Sequence, residues 1–291
     1  MKFTLALAQV DNILADVKKN VQRHLEFIAR AREGGADLVV FPELSLTGYS
    51  LKDSNWDVAI AASGGEGAES HPLREIIRAS ADISILLGCV EESAGFGIYN
   101  SALFFERQTV RSVHRKVYPP AYGMFEELRY FSPGNSVRAF DSILGRLGVL
   151  ICEDLWHLPL PYLLAQGGAQ AIIGIAASPT RLSGEGERIT NARVNTEQHK
   201  AYARLLSSYV VFCNRVGIED GVNFWGGSEV IAPNGEIAVQ AKLFEEDLIF
   251  TTIDDNEVRR ARRFSRHFLD DDPRLVISEL NRILSANSNL R

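Results

Sequence analysis

Cysteine is scarce in this chain. Its 291 residues hold three, at Cys89, Cys152 and Cys213. An odd, sparse set is no disulfide framework, so the fold is expected to rest on a packed core. Long apolar runs are missing too. A stretch such as A-I-I-G-I-A-A at 171–177 falls far short of the roughly 20 residues that a membrane span needs. Basic charge is not in excess: 31 Lys and Arg stand against 37 Asp and Glu, for a net charge of −6. That argues against a broad nucleic-acid or anionic-membrane surface. The six histidines are scattered, with no C-x-x-C or H-E-x-x-H spacing, so neither a metal site nor a cofactor is expected. There are no repeats and no dividing linker. The glycine-rich S-G-G-E-G-A-E-S at 63–70 lacks the spacing of a phosphate loop and reads as a surface loop.

What remains is an ordinary globular composition, 46% hydrophobic, expected to form one domain over 1–291. The start, M-K-F-T-L-A-L-A-Q-V-D, has the apolar look of a signal peptide, but Gln9 and Asp11 interrupt it and no small-residue cleavage site follows closely. It reads as a first strand, and the chain as cytoplasmic. Pattern and breakers predict strands at 2–10, 37–41, 83–90, 98–105, 109–115, 146–151, 170–175, 209–214, 228–232, 236–240 and 247–253. They predict helices at 17–33, 72–81, 159–167, 188–207, 255–264 and 274–285. Strands with helices interspersed, then late hairpins, indicate mixed sheets covered by helices. The basic stretch Arg259, Arg260, Arg262, Arg263, Arg266 reads as a solvated or interface-paired helix face.

Three segments place reactive groups where strands usually stop and site loops begin. They are F-P-E-L-S-L-T-G-Y around Glu43, H-R-K-V-Y-P-P around Lys116, and G-V-L-I-C-E-D-L-W around Cys152. Each alone reads equally as a loop acid, a solvated lysine and a small core residue. Together they offer a thiol nucleophile, a carboxylate and a fixed cation, a set suited to acyl transfer through a thioester. The lysine would favour a thiolate, or the carboxylate would take the thiol proton as attack proceeds.

The same motifs, in the same order, resemble the carbon–nitrogen hydrolase (nitrilase/amidase) superfamily. The resemblance runs from the first strand to about Asp255. It implies an α/β (α+β) fold, a four-layer α-β-β-α sandwich. It also implies roles: Cys152 attacks, Glu43 shuttles the proton, and Lys116 with the backbone N–H of Glu153 holds the oxyanion. The run K-V-Y-P-P-A-Y-G-M-F-E-E-L-R-Y-F matches a family segment carrying a further acid, here Glu127. Tyr49, Tyr122, Phe125, Glu153, Trp156 and Ser178 are candidate substrate contacts, with Arg181 and Arg188 as candidate carboxylate holders. Nitrilases typically read C-W-E after the nucleophile. Cys152-Glu153-Asp154 and L-T-G-Y-S-L-K-D look more like the glutaminase domain of glutamine-dependent NAD synthetases, whose ATP-using phosphate loop has no counterpart here. The expected substrate is a small amide, possibly glutamine-like. The alternatives are a nitrile, or a non-catalytic subunit docking a separate synthetase. The resemblance further implies a homodimer or higher homo-oligomer, built on the 188–207 helix and an interface tail over 255–291.

Overall fold

The computed structural model describes residues 1–61, 72–180 and 190–287. The glycine-rich stretch at 63–70, Arg181 and Arg188 lie outside the described residues.

Side chains alternate across a strand with period two, so each strand offers two faces. In the central strands both faces are buried. In strand Lys2–Gln9, Leu5 and Leu7 point one way and Ala6 and Ala8 the other. The first sheet runs, in spatial order, Asp247–Asp254, Lys2–Gln9, Leu38–Val40, Ser84–Glu92, Ile98–Glu106, Thr109–Arg115, with Ile60–Ala61 also paired to Ser84–Glu92. The second runs Ile237–Gln240, Glu229–Ile231, Tyr209–Asn214, Ala171–Ala176, Gly145–Ile151, Phe140–Ser142.

Between them lies one core. Leu7, Val40, Leu86 and Phe104 of the first sheet meet Val149, Ile173 and Val211 of the second. Behind the first sheet, Val39, Ile85 and Leu87 pack on Phe27, Ile28 and Ala31 of helix Val17–Glu33. Behind the second, Leu150, Ile172 and Phe212 pack on Leu160 and Leu164 of helix Pro159–Gln166 and on Tyr202 and Leu206 of helix Thr190–Leu206. The result is the four-layer α-β-β-α sandwich. Burial on both faces also explains why the strands read as near-continuous apolar runs rather than as alternation.

Sequence and structure part company in several places. Short strands Ile60–Ala61 and Phe140–Ser142 fall outside the anticipated ones. A small sheet of Pro179–Thr180, Val222–Trp225 and Val216–Glu219 was not anticipated. Its hairpin turns on Asp220-Gly221, both at positive φ (49° and 77°), and Asp-Gly is a strong hairpin signal. On helix Thr190–Leu206 the apolar side chains Ala201 and Leu205 are exposed on the single chain, Leu205 at 57%. The buried face is Asn195, His199, Tyr202, Ala203 and Leu206. His199 Nδ1 lies 2.7 Å from Glu229 Oε1, and Asn195 donates to Asn191 O at 2.7 Å. In the tail, helix Pro273–Asn287 leaves Leu275, Val276, Leu280 and Ile283 exposed on the single chain.

Strands Leu38–Val40, Gly145–Ile151 and Ala171–Ala176 lie in parallel pairings. In open α/β sheets the crevice at the carboxyl ends of such strands is where ligands bind. Glu43, Cys152 and Ala177 follow those ends.

Candidate active site

Glu43 comes from the loop after Leu38–Val40. That loop lies on strand Ser84–Glu92 so closely that a Cβ at Gly88 would sit 2.7 Å from Pro42 O and 2.8 Å from Glu43 Cα. Lys116 follows strand Thr109–Arg115, and its N–H donates to Asn100 O at 2.9 Å. Cys152 opens the short turn Cys152–Trp156 at φ +45°. A non-glycine residue in that region is strained, and such strain clusters at functional sites.

These side chains meet in one buried cluster. Lys116 Nζ donates to Glu43 Oε1 and to Glu127 Oε1, each at 2.8 Å. Asn100 Nδ2 also donates to Glu43 Oε1, at 2.7 Å, and the Ala177 N–H donates to Glu43 Oε2 at 2.7 Å. Tyr49 O–H donates to Glu127 Oε1 at 2.6 Å. Burial opposes charge on Lys116, but Glu127 and Glu43 outweigh it and hold the ammonium well above the ordinary lysine range. Burial raises the Glu127 carboxyl, with Lys116 pulling the other way. Burial and the Glu43 charge push the Cys152 thiol well up, against the pull of Lys116. The thiol therefore stays protonated near neutral pH.

Asp154 holds the cation and nucleophile segments together. It is fully buried. Its Oδ1 accepts the N–H groups of Val117 and Tyr118, both at 3.0 Å, and its Oδ2 accepts the Ile151 N–H at 3.2 Å and lies 2.9 Å from His114 Nε2. The backbone after Lys116 and the His114 side chain before it are thus tied, through Asp154, to the residue before Cys152.

Residues 4–263 match the family model of the carbon-nitrogen hydrolases. The chain belongs to this family. It is similar to a glutamine-dependent NAD(+) synthetase of Acinetobacter baylyi, 30% identical over 88% of this chain but only 45% of the relative. It spans less than half the length of that relative. A Schizosaccharomyces pombe protein described as a probable nitrilase is 27% identical over 93% of this chain and 96% of its own. A carbon-nitrogen hydrolase of Helicobacter pylori G27 shares the fold with a TM-score of 0.84 at 22% identity, covering 96% of this chain and 99% of that one.

The remaining expected contacts of this carbon–nitrogen hydrolase scatter around the cluster. Tyr122 O–H donates to Glu153 Oε2 at 2.8 Å, and burial with that carboxylate pushes the phenol up to about 12. Tyr122 also packs edge-on against Phe125. Ser178 Oγ accepts from Trp225 Nε1 at 3.1 Å, and its N–H donates to Asn214 Oδ1 at 2.8 Å. Trp156 ends the nucleophile turn and is 47% exposed. Among the described residues no group of His, Cys, Asp and Glu is arranged to hold a metal ion, and no helix is long and apolar enough to cross a membrane.

Asn100, Asp154 and Arg215 were missed as site residues. Arg215 pairs with Glu219 at 2.8 Å, and Glu219 Oε1 accepts the N–H groups of Tyr49 and Ser50 at 2.9 and 2.6 Å, fixing the loop that carries Tyr49. The available signal for Asn100 was a polar residue inside the apolar run I-Y-N-S-A-L-F-F.

Proposed function

We propose that this carbon–nitrogen hydrolase cleaves the C–N bond of a small amide through a thioester on Cys152. The observation that carries the reading is the buried set of Glu43, Lys116 and Glu127, joined by hydrogen bonds of 2.8 Å, beside the strained turn that Cys152 opens. Cys152 Sγ attacks the amide carbon as its proton passes to Glu43. The carbonyl π pair moves onto oxygen, and Lys116 with the Glu153 N–H stabilises that oxyanion. Collapse breaks the C–N bond as Glu43 returns the proton to nitrogen, and ammonia leaves. Water then attacks the thioester, giving one proton to Glu43. Collapse expels the sulfur, Glu43 reprotonates it, and the acid departs.

An amide suits the cluster better than a nitrile. Glu127 Oε2 is buried without a partner, and a buried acceptor left unmet costs about 1–3 kcal/mol. An amide NH₂ supplies the missing donor; a nitrile carries no N–H. A glutamine-like acyl group accords with the relatives named for glutamine, although this chain covers under half of the A. baylyi protein. The test is ammonia release from matched amide and nitrile pairs, with glutamine included. The expected kcat/KM ratio favours the amide by about tenfold or more. Parity or a nitrile preference would place the chain among nitrile hydrolases. Silence across the whole panel would favour a docking subunit.

The seating of Glu43 offers a second check. Gly88→Ala forces a methyl against Pro42 O and Glu43 Cα. It is expected to cost about 1–3 kcal/mol of stability. Displacing the base should also cut turnover by more than that loss of folded protein accounts for. Denaturant unfolding and ammonia release on the same sample separate the two effects.

A further inference from the structure

We propose that Asn100 is the positioning residue of the base, fixing Glu43 so that Oε2, and not Oε1, takes and returns the proton. The inference rests on the reading of Glu43 as base given above.

A carboxylate oxygen has two in-plane lone pairs. On Glu43 Oε1 both are engaged, one by Lys116 Nζ at 2.8 Å and one by Asn100 Nδ2 at 2.7 Å. Oε2 accepts one donor, the Ala177 N–H at 2.7 Å, and keeps a lone pair free. The proton of Cys152 therefore has one place to go. Of the three donors, Lys116 is the oxyanion cation and Ala177 donates from the backbone. Asn100 alone is a neutral side chain whose contact with the base is with Oε1.

The orientation of the amide follows from charge. Turning it over would set Oδ1 against a carboxylate oxygen and forfeit a charge-assisted hydrogen bond. Asn100 also reaches the cation, because its backbone carbonyl accepts the Lys116 N–H at 2.9 Å. One residue of strand Ile98–Glu106 thus ties base and cation together. Packing gives no reason for an amide here. Asn100 is buried in an apolar strand, and its Oδ1 has no partner among the described residues. Buried polar atoms are nearly always paired, so an apolar side chain would sit there at less cost. The Nδ2 donor is what the amide adds.

Two variants separate positioning from packing. Asn100→Leu keeps the branched shape and removes the donor. It is expected to lower kcat by about 10²-fold, with KM little changed and the melting temperature undiminished. Asn100→Asp gives a distinct signature. At acid pH the introduced carboxyl carries a proton and donates to Oε1 as the amide does. As pH rises it ionises and repels Oε1, so activity falls along a new descending limb that wild type and Asn100→Leu lack. The other titratable groups in the cluster, Glu43, Lys116, Glu127, Tyr49 and Cys152, are the same in all three proteins. Turnover of Asn100→Leu within twofold of wild type, or an Asn100→Asp profile matching wild type, overturns the proposal. If Asn100→Leu does not fold, the nearly isosteric Asn100→Asp decides alone.

A substrate-free arm keeps this apart from the functional reading. Alkylation of Cys152 by iodoacetamide at neutral pH, located by mass spectrometry, also needs the thiol proton removed. It should slow at least about tenfold in Asn100→Leu, and an unchanged rate counts against the positioning role. Should wild type hydrolyse no amide at all, the functional reading falls and the alkylation rates still decide the role of Asn100.

Discussion

Cys152→Ala is expected to abolish ammonia release, a loss on the order of 10⁴-fold or more, with the fold intact. Alanine and cysteine bear the same left-handed backbone at position 152, where φ is +45°, so the exchange adds little strain. The side chain loses a single sulfur atom, so the cavity left is small. Thermal unfolding should therefore move by a few degrees while activity disappears. With a slowly turned-over amide, intact mass should rise by one acyl group, and peptide mapping should place it on Cys152. The other two cysteines are fully buried, with thiols pushed up by burial. An adduct on Cys89 or Cys213, or turnover surviving in Cys152→Ala, would sink the thioester mechanism.

Lys116→Met should lose both rate and stability. The ammonium lies between the Glu43 and Glu127 carboxylates, 2.8 Å from each. On the proposed mechanism, removing it leaves the oxyanion without its charge partner, about 10²-fold or more in kcat/KM. It also leaves two buried carboxylates facing each other. Breaking a buried pair by deleting one partner costs about 3–5 kcal/mol. The sign of the pH dependence follows from Glu127, whose carboxyl burial already raises and Lys116 pulls down. Without Lys116 it rises further. A carboxyl raised above its unfolded value binds its proton more tightly in the folded state, so stability is kept at low pH and lost as pH increases. Urea unfolding of the variant across the weakly acidic to neutral range should show a falling midpoint where wild type is flatter. Lys116→Arg is not expected to rescue, because a planar fork cannot replace a point charge in a filled site. Stability that rises with pH in Lys116→Met would contradict this account of the cluster.

Much of the candidate site was legible because its residues lie in short segments. Glu43, Lys116 and Cys152 each close an apolar run, and the structure gathers them. Long strands such as Ile98–Glu106 and Gly145–Ile151 announced themselves by apolar content. Which face of each met the other sheet did not, because both faces are buried and no alternation survives to tell them apart. The state of the thiol was equally hidden. It depends on how far burial and Glu43 outweigh Lys116, and spacing carries no information on burial. Asp154 read as one more acid beside the nucleophile; its four partners come from residues 114 to 151. The small third sheet is a different kind of miss, since Asp220-Gly221 was visible and passed over.

The site is shared between the two sheets. Glu43 and Lys116 extend from the first and Cys152 from the second, while the Glu43 carboxylate accepts the Ala177 N–H from the end of a second-sheet strand. On the proposed mechanism, the gap between Cys152 and Glu43 is therefore gauged by the residues filling the sandwich, among them Leu86, Phe104, Val149 and Ile173. Proton transfer from the thiol needs heavy atoms within about 2.6–3.2 Å, a tolerance smaller than a single methylene. Close-packed interiors transmit such changes in volume instead of absorbing them. The central core of this protein thus works as a caliper, and drift in its volume would detune the chemistry well before it unfolded the chain.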